Sequence, residues 1–223
     1  MATNKRTLSR IGFYCGLALF LIITLFPFFV MLMTSFKGAK EAISLHPTLL
    51  PQQWTLEHYV DIFNPMIFPF VDYFRNSLVV SVVSSVVAVF LGILGAYALS
   101  RLRFKGRMTI NASFYTVYMF SGILLVVPLF KIITVPLAMS GLISVFVYCF
   151  MVAWNDYLFA SIFLSSASNF TLPVGLNALF STPDYIWGRM MAASLVTALP
   201  VVIMYALSER FIKSGLTAGG VKG

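Results

Sequence analysis

Asn76 to Ser100 reads NSLVVSVVSSVVAVFLGILGAYALS, without one formal charge, and Arg101, Arg103, Lys105 and Arg107 follow at once. About 20 apolar residues in a helix cross the ~30 Å hydrocarbon core of a bilayer. A strand with open edges cannot be left in lipid, because its backbone polar groups would find no partners. The stretch is therefore expected to be a transmembrane helix with a basic flank. Four further segments read the same way: 11–36, 108–130, 137–164 and 187–207. Pro27, Gly92, Gly95, Pro128, Gly141 and Pro200 lie inside them, where such residues are better tolerated than in soluble helices. The fold class expected is all-α, a polytopic integral membrane bundle with five recognisable transmembrane segments.

Composition agrees with that reading. The chain has 223 residues, 60% hydrophobic and 10% charged, with a mean hydropathy of +0.93. A soluble domain carries about 25% charged residues, so there is too little charge here to coat a water-facing surface. A soluble enzyme and a nucleic-acid-binding domain are both excluded on that ground. The net charge of +8 is read as cytoplasmic loops of a membrane protein. Cys15 and Cys149 both sit in apolar runs and read as small core residues.

The basic residues give an orientation. Lys5, Arg6 and Arg10 precede the first run, which is too long for a signal-peptide core and has no A-x-A site after it. It is expected to be a retained first span. Arg101 to Arg107 lie between the second and third spans, and Arg210, Lys213 and Lys222 follow the fifth. The segment 37–75 is mixed, with Lys37, Lys40 and Arg75 against Glu41, Glu57, Asp61 and Asp72. The positive-inside rule then puts both termini and 101–107 in the cytoplasm, with 37–75 and 165–186 outside. Both ends inside require an even number of crossings, and five segments are counted. The conflict falls at Lys131 to Pro136, KIITVP, which joins the third and fourth spans. Either that join is a tight hairpin and the tail lies outside, or one crossing is absent there.

Several stretches resemble one family in the family's own order. Asn76-Ser77-Leu78 through GAYALSRLRFKGR (Gly95 to Arg107) is similar to the second span of binding-protein-dependent ABC importer permeases. AWNDYLF (Ala153 to Phe159) resembles that family's W-N-E/D-x-L signature, and TLPVGL (Thr171 to Leu176) its last external loop. Pro51 to Phe63 resembles the first external loop. Met191 to Gly223 resembles the ending of the carbohydrate-uptake, maltose-permease branch. The resemblance covers nearly the whole chain and implies a single transmembrane permease domain over 1–223, in an inner membrane. It also implies partners: a second homologous permease, an ATPase dimer, an external solute-binding protein, a carbohydrate substrate and membrane lipid.

The chain departs from the family in one place. The family carries E-A-A-x-x-x-G before its penultimate span, in a cytoplasmic loop whose short helix docks on the ATPase. Here only the end of that motif is present, as Ile133, Pro136, Leu137 and Gly141. The family pattern has six spans, and the one before the motif is absent. Parity and motif fail at the same point, so an internal deletion of one span and a loop explains both.

Individual residues have competing readings. Asp156 is the one acid inside an expected span, and intramembrane acids usually face protein or water. With Trp154 and Asn155 it is a candidate for the translocation path; the competing reading is a structural cap near the outer end of its helix. Arg189 either meets Asp156 or snorkels to the interface. Ser77, Ser81, Ser84 and Ser85, with Gly92 and Gly95, have the spacing of close helix packing. Gly215, Leu216, Gly219 and Gly220 form a glycine-rich tail, frayed or, by the resemblance, facing the ATPase. His46 and His58 lie in one loop without cysteines nearby, so no metal site is expected. No G-x-x-x-x-G-K-[ST] occurs and no catalytic set is credible, so the chain is expected to be a non-catalytic subunit without cofactor or nucleic-acid partner. Three rivals remain: a truncated permease uncoupled from its ATPase, a secondary transporter, which needs more intramembrane charge than one Asp and internal repeats, and a membrane-anchored scaffold without transport.

Overall fold

The computed structural model describes residues 2–44, 46, 48–110, 112–113, 135–181 and 187–219, and no strand occurs among them. The long helices are α1 (Ala2–Ser35), α4 (Phe70–Arg101), α5 (Val135–Trp154) and α8 (Trp187–Gly219). Four short ones lie between them: α2 (Ala39–Ala42), α3 (Glu57–Ile62), α6 (Leu158–Phe163) and α7 (Leu172–Ala178). Single 3-10 turns occur at Ala167–Asn169 and Leu179–Ser181.

Three stretches are long and apolar enough to cross a membrane: Arg10–Ser35, Phe70–Arg101 and Trp187–Glu209. At 1.5 Å per residue even the shortest spans more than the ~30 Å required. Gly141–Trp154 is a shorter apolar helix. The molecule is an all-α, multi-pass membrane bundle.

The helices overrun or interrupt the segments expected from the sequence. α1 starts nine residues before Ile11, and α4 starts at Phe70, inside the segment read as a loop. Of the expected span 108–130, residues 108–110 and 112–113 are helical and the rest, apart from Asn111, follows residue 113; these others lie outside the described residues. The expected helix over 137–164 is not continuous. It ends at Trp154, passes through Asn155, Asp156 and Tyr157, and restarts as α6. α8 runs on to Gly219, through Gly215 and Leu216, so the tail continues the last helix that far. Between α4 and the next helical turn the chain reverses at Gly106, whose φ of +90° suits a residue without a Cβ.

The chain divides into two compact units, Met1–Val71 with Gly175–Thr197, and Asp72–Val174 with Ala198–Gly223. In the first, the core holds Met33, Ile62, Phe68, Phe70, Leu179, Ala192 and Ala193. The chain folds back after α1. Phe36 lies against Trp54 and Tyr59 at ring distances of 5.6 and 5.4 Å, and its carbonyl accepts the Thr55 N–H at 2.9 Å. The Tyr59 hydroxyl meets Ser35 Oγ at 2.9 Å. Lys37, although charged, is buried and its ammonium donates to the Thr48 carbonyl. Glu41 ties the same loop: its carboxylate accepts the Thr48 hydroxyl at 2.7 Å and the Gln52 N–H at 3.0 Å. The Thr48 bond above all holds the Glu41 carboxyl below its usual titration range, against the opposing effect of burial and with help from the Gln52 N–H and the Lys37 charge.

In the second unit Tyr73, Val147, Phe150, Trp154, Leu172 and Val174 form the core. α4 buries Ser77, Ser81 and Ser85, one turn apart, while Val79, Val80, Val83, Val86, Val87 and Phe90 are exposed. A helix bundle in lipid inverts the soluble pattern in this way, since hydrocarbon is as apolar as valine and small residues let backbones approach. α1 carries this furthest, with no part of its apolar window buried.

Candidate functional site

The first turns of α4 organise the second unit. Asn76 Nδ2 donates to the Ser168 and Phe170 carbonyls at 2.9 and 3.1 Å, and Ser77 Oγ accepts the Leu172 N–H at 2.7 Å. That N–H opens α7, where an intrahelical acceptor is lacking, so the serine satisfies an end that would otherwise be bare. Tyr73 lies against Phe170 at 6.1 Å, and Phe74 meets the Trp154 indole edge-on at 5.5 Å. One helical stretch thus holds both the 168–172 segment and the end of α5.

At that end Trp154 is 2% exposed and stacks on Phe150 at 5.4 Å with 20° between the planes. Asn155 closes the helix: its Nδ2 donates to the Met151 carbonyl at 2.8 Å. Asp156 opens the next one, accepting the Phe159 and Ala160 N–H groups at 3.4 and 3.1 Å. The three adjacent candidates therefore have separate tasks, an anchor, a C-terminal closure and an N-terminal cap. Trp154 is enclosed by aromatics, Asn155 is exposed, and Asp156 is half-buried with its carboxylate engaged.

The first unit joins α3 to the start of α8. Arg189 pairs with Asp61 at 2.9 Å, with the two side chains 12% and 18% exposed. Arg189 was expected either to meet Asp156 or to snorkel. Its partner is instead Asp61, one of the two acids of α3, which the charge pattern of the sequence places in a mixed loop. The preceding residue, Gly188, is covered by the His58 imidazole, and a Cβ there would overlap the ring. Trp187 meets Phe180 edge-on at 6.3 Å.

The remaining candidates are placed less fully. Ile133 lies outside the described residues, as does Gly220. Pro136 and Leu137 fall in the first turn of α5, where a proline costs no helical hydrogen bond, and Gly141 lies one turn further on. Gly215, Leu216 and Gly219 are in the last turns of α8. Among the described residues no group of three His, Cys, Asp or Glu could hold a metal ion. Asn76 and Ser77 carry the hydrogen bonds that organise this unit, and the sequence does not single them out as candidate site residues. Their signal was a polar pair opening an otherwise apolar run.

No protein-family model matches the chain. Over 280 aligned positions the sequence is 80% identical to an inner membrane ABC transporter permease protein, YcjP, of Escherichia coli strain K12, covering all of both chains. The chain belongs to the ABC transporter permeases. The permease is also 31% identical to the trehalose/maltose transport system permease protein MalG of Thermococcus litoralis, over 99% of both chains. Its fold is that of a solved bacterial ABC transporter involved in the import of the acidic polysaccharide alginate, with a TM-score of 0.69 at 18% identity over 92% of this permease and 97% of that chain. In that setting, the two stretches whose resemblance was noted separately, Asn76-Ser77 and Thr171-Leu172, are hydrogen-bonded to each other or to immediate neighbours.

Proposed function

We propose that this permease is the membrane-spanning, non-catalytic subunit of an importer that carries a carbohydrate across the inner membrane. It works with a second permease, an ATPase dimer and an external solute-binding protein. The observation that carries this is full-length similarity to an ABC transporter permease together with 31% identity to a trehalose/maltose permease. ATP closes the ATPase dimer, and the permease pair alternates between inward and outward openings. Asn155 and the free lone pairs of Asp156 are the polar groups offered to a sugar on its path. The Trp154 ring shapes that end of α5. Both termini and 101–107 face the cytoplasm, and 37–75 and 165–186 face outward, where the solute-binding protein docks. The end of α8, with Gly215, Leu216, Gly219 and Gly220, approaches the ATPase.

The permease also lacks an internal stretch between Lys131 and Pro136. Three observations support this reading. The first is parity, since the basic residues require an even number of crossings, and the second is the coupling motif, whose E-A-A part is absent and whose remnant is Ile133, Pro136, Leu137 and Gly141. The third is length. Four-fifths of 280 aligned positions is as many as the permease has residues, so the difference from its relative lies almost wholly in positions it does not possess.

Uptake tests both statements. Labelled trehalose and maltose are offered to cells that express this permease with its binding protein, second permease and ATPase. Accumulation above cells without the permease, but well below cells with the Thermococcus litoralis trehalose/maltose relative and its own partners, is expected. Accumulation no higher than in cells without the permease overturns the importer reading, and accumulation equal to the relative's overturns the loss of a coupling segment.

A further inference from the structure

We propose that α3 and the first turn of α8 form a proton-sensitive latch in which His58 is the sensor. His58 is 2% exposed, and both its ring nitrogens are buried without a hydrogen-bond partner. The ring sits on Gly188, in space that any side chain at 188 would take. The next residue, Arg189, reaches back to Asp61, one turn along α3 from His58. His58 and Ile62 are the buried residues of α3, and the imidazole and the ion pair both join this short helix to α8.

The chemistry gives the direction of the response. A neutral imidazole without partners costs unsatisfied hydrogen-bonding capacity, but a protonated one buries a charge, which costs far more. The charged groups that would have to accept it are already engaged or of the wrong sign. Asp61 is paired with Arg189, and Arg189 Nε is itself buried without a partner. Glu57 lies on the exposed side of α3. On the α1 side, Tyr59 is bonded to Ser35, and Lys37 to Thr48. Protonation therefore favours the state in which the ring leaves Gly188 for water. The seated state is therefore favoured while the ring is neutral, and acidification works against it. The site is distinct from Asn155 and Asp156, and the latch stands whether or not those residues meet a sugar.

Hydrogen–deuterium exchange on the purified full chain in detergent tests this, with rates corrected for the intrinsic effect of pH. Between pH 8 and pH 5, amides of Glu57–Ile62 and of the first two turns of α8 should lose protection about tenfold or more, while those of α4 keep theirs. His58→Gln and His58→Phe should remove the pH response. Asp61→Asn should keep it, with lower protection at both pH values. A wild-type chain without a pH-dependent change in these segments overturns the proposal. So does a response that persists in both His58 variants, or one that disappears in Asp61→Asn.

Discussion

Ser77 offers a single hydroxyl to the backbone N–H that opens α7, inside the core of its unit. Ser77→Ala removes the acceptor and leaves that N–H buried and bare, which costs about 1–3 kcal/mol. A lower thermal midpoint in detergent is expected, and an unchanged midpoint would show that Leu172 finds another acceptor. Glu41 acts at the same scale but in the external-type loop. Its carboxylate form is favoured by the Thr48 hydroxyl and the Gln52 N–H, so its folded titration lies below the unfolded one. The stabilisation is present above the ordinary carboxylate range and is lost as the pH falls through the depressed folded value. Limited proteolysis of 38–52 should quicken at acid pH, and Glu41→Gln should cut equally fast at neutral and acid pH.

At the scale of elements the informative feature is the break between α5 and α6. The apolar run continues through it to Leu164, so hydrophobicity alone predicts one helix. The interruption is encoded by Asn155 and Asp156, whose side chains satisfy the two helix ends created there. Asparagine and aspartate at that spacing are a capping signal, and it competes with the charge reading of the same residue. Asp156→Asn keeps an accepting oxygen and should leave stability nearly unchanged, while Asp156→Ala should cost about 1 kcal/mol. Chemical denaturation of the two variants separates a cap, for which they differ, from a charge requirement, for which they agree. α1, α4 and α8 were legible because an uncharged run longer than a bilayer has few alternatives. The Asp61–Arg189 pair was not, because 128 residues separate its members and charge counting holds no distances. Ser77 and Leu172, 95 residues apart, show the same limit: the motifs were visible, their contact was not.

For the whole molecule, orientation is the property that the basic residues encode most directly. Reporter fusions to the C-terminus, one active only in the cytoplasm and one only outside, should report a cytoplasmic end. An external end would mean that every hydrophobic segment crosses and that KIITVP is a hairpin. The apolar composition fixes the solvent of this fold, and the count of crossings rests on charges at its margins.

The buried residues of α1 are Met33 and Ser35 in its last turn, while none of its apolar window is buried among the described residues. Its identity as a helix thus comes from the bilayer and not from its neighbours, which is the first of the two stages in which membrane bundles form. In that first stage α1 stands in the bilayer as a finished helix, and the rest of its unit's core then closes on its last turn, around Met33. Exchange of residues 11–30 for an unrelated apolar stretch would leave the internal architecture intact and alter only what the molecule presents to lipid and to other subunits.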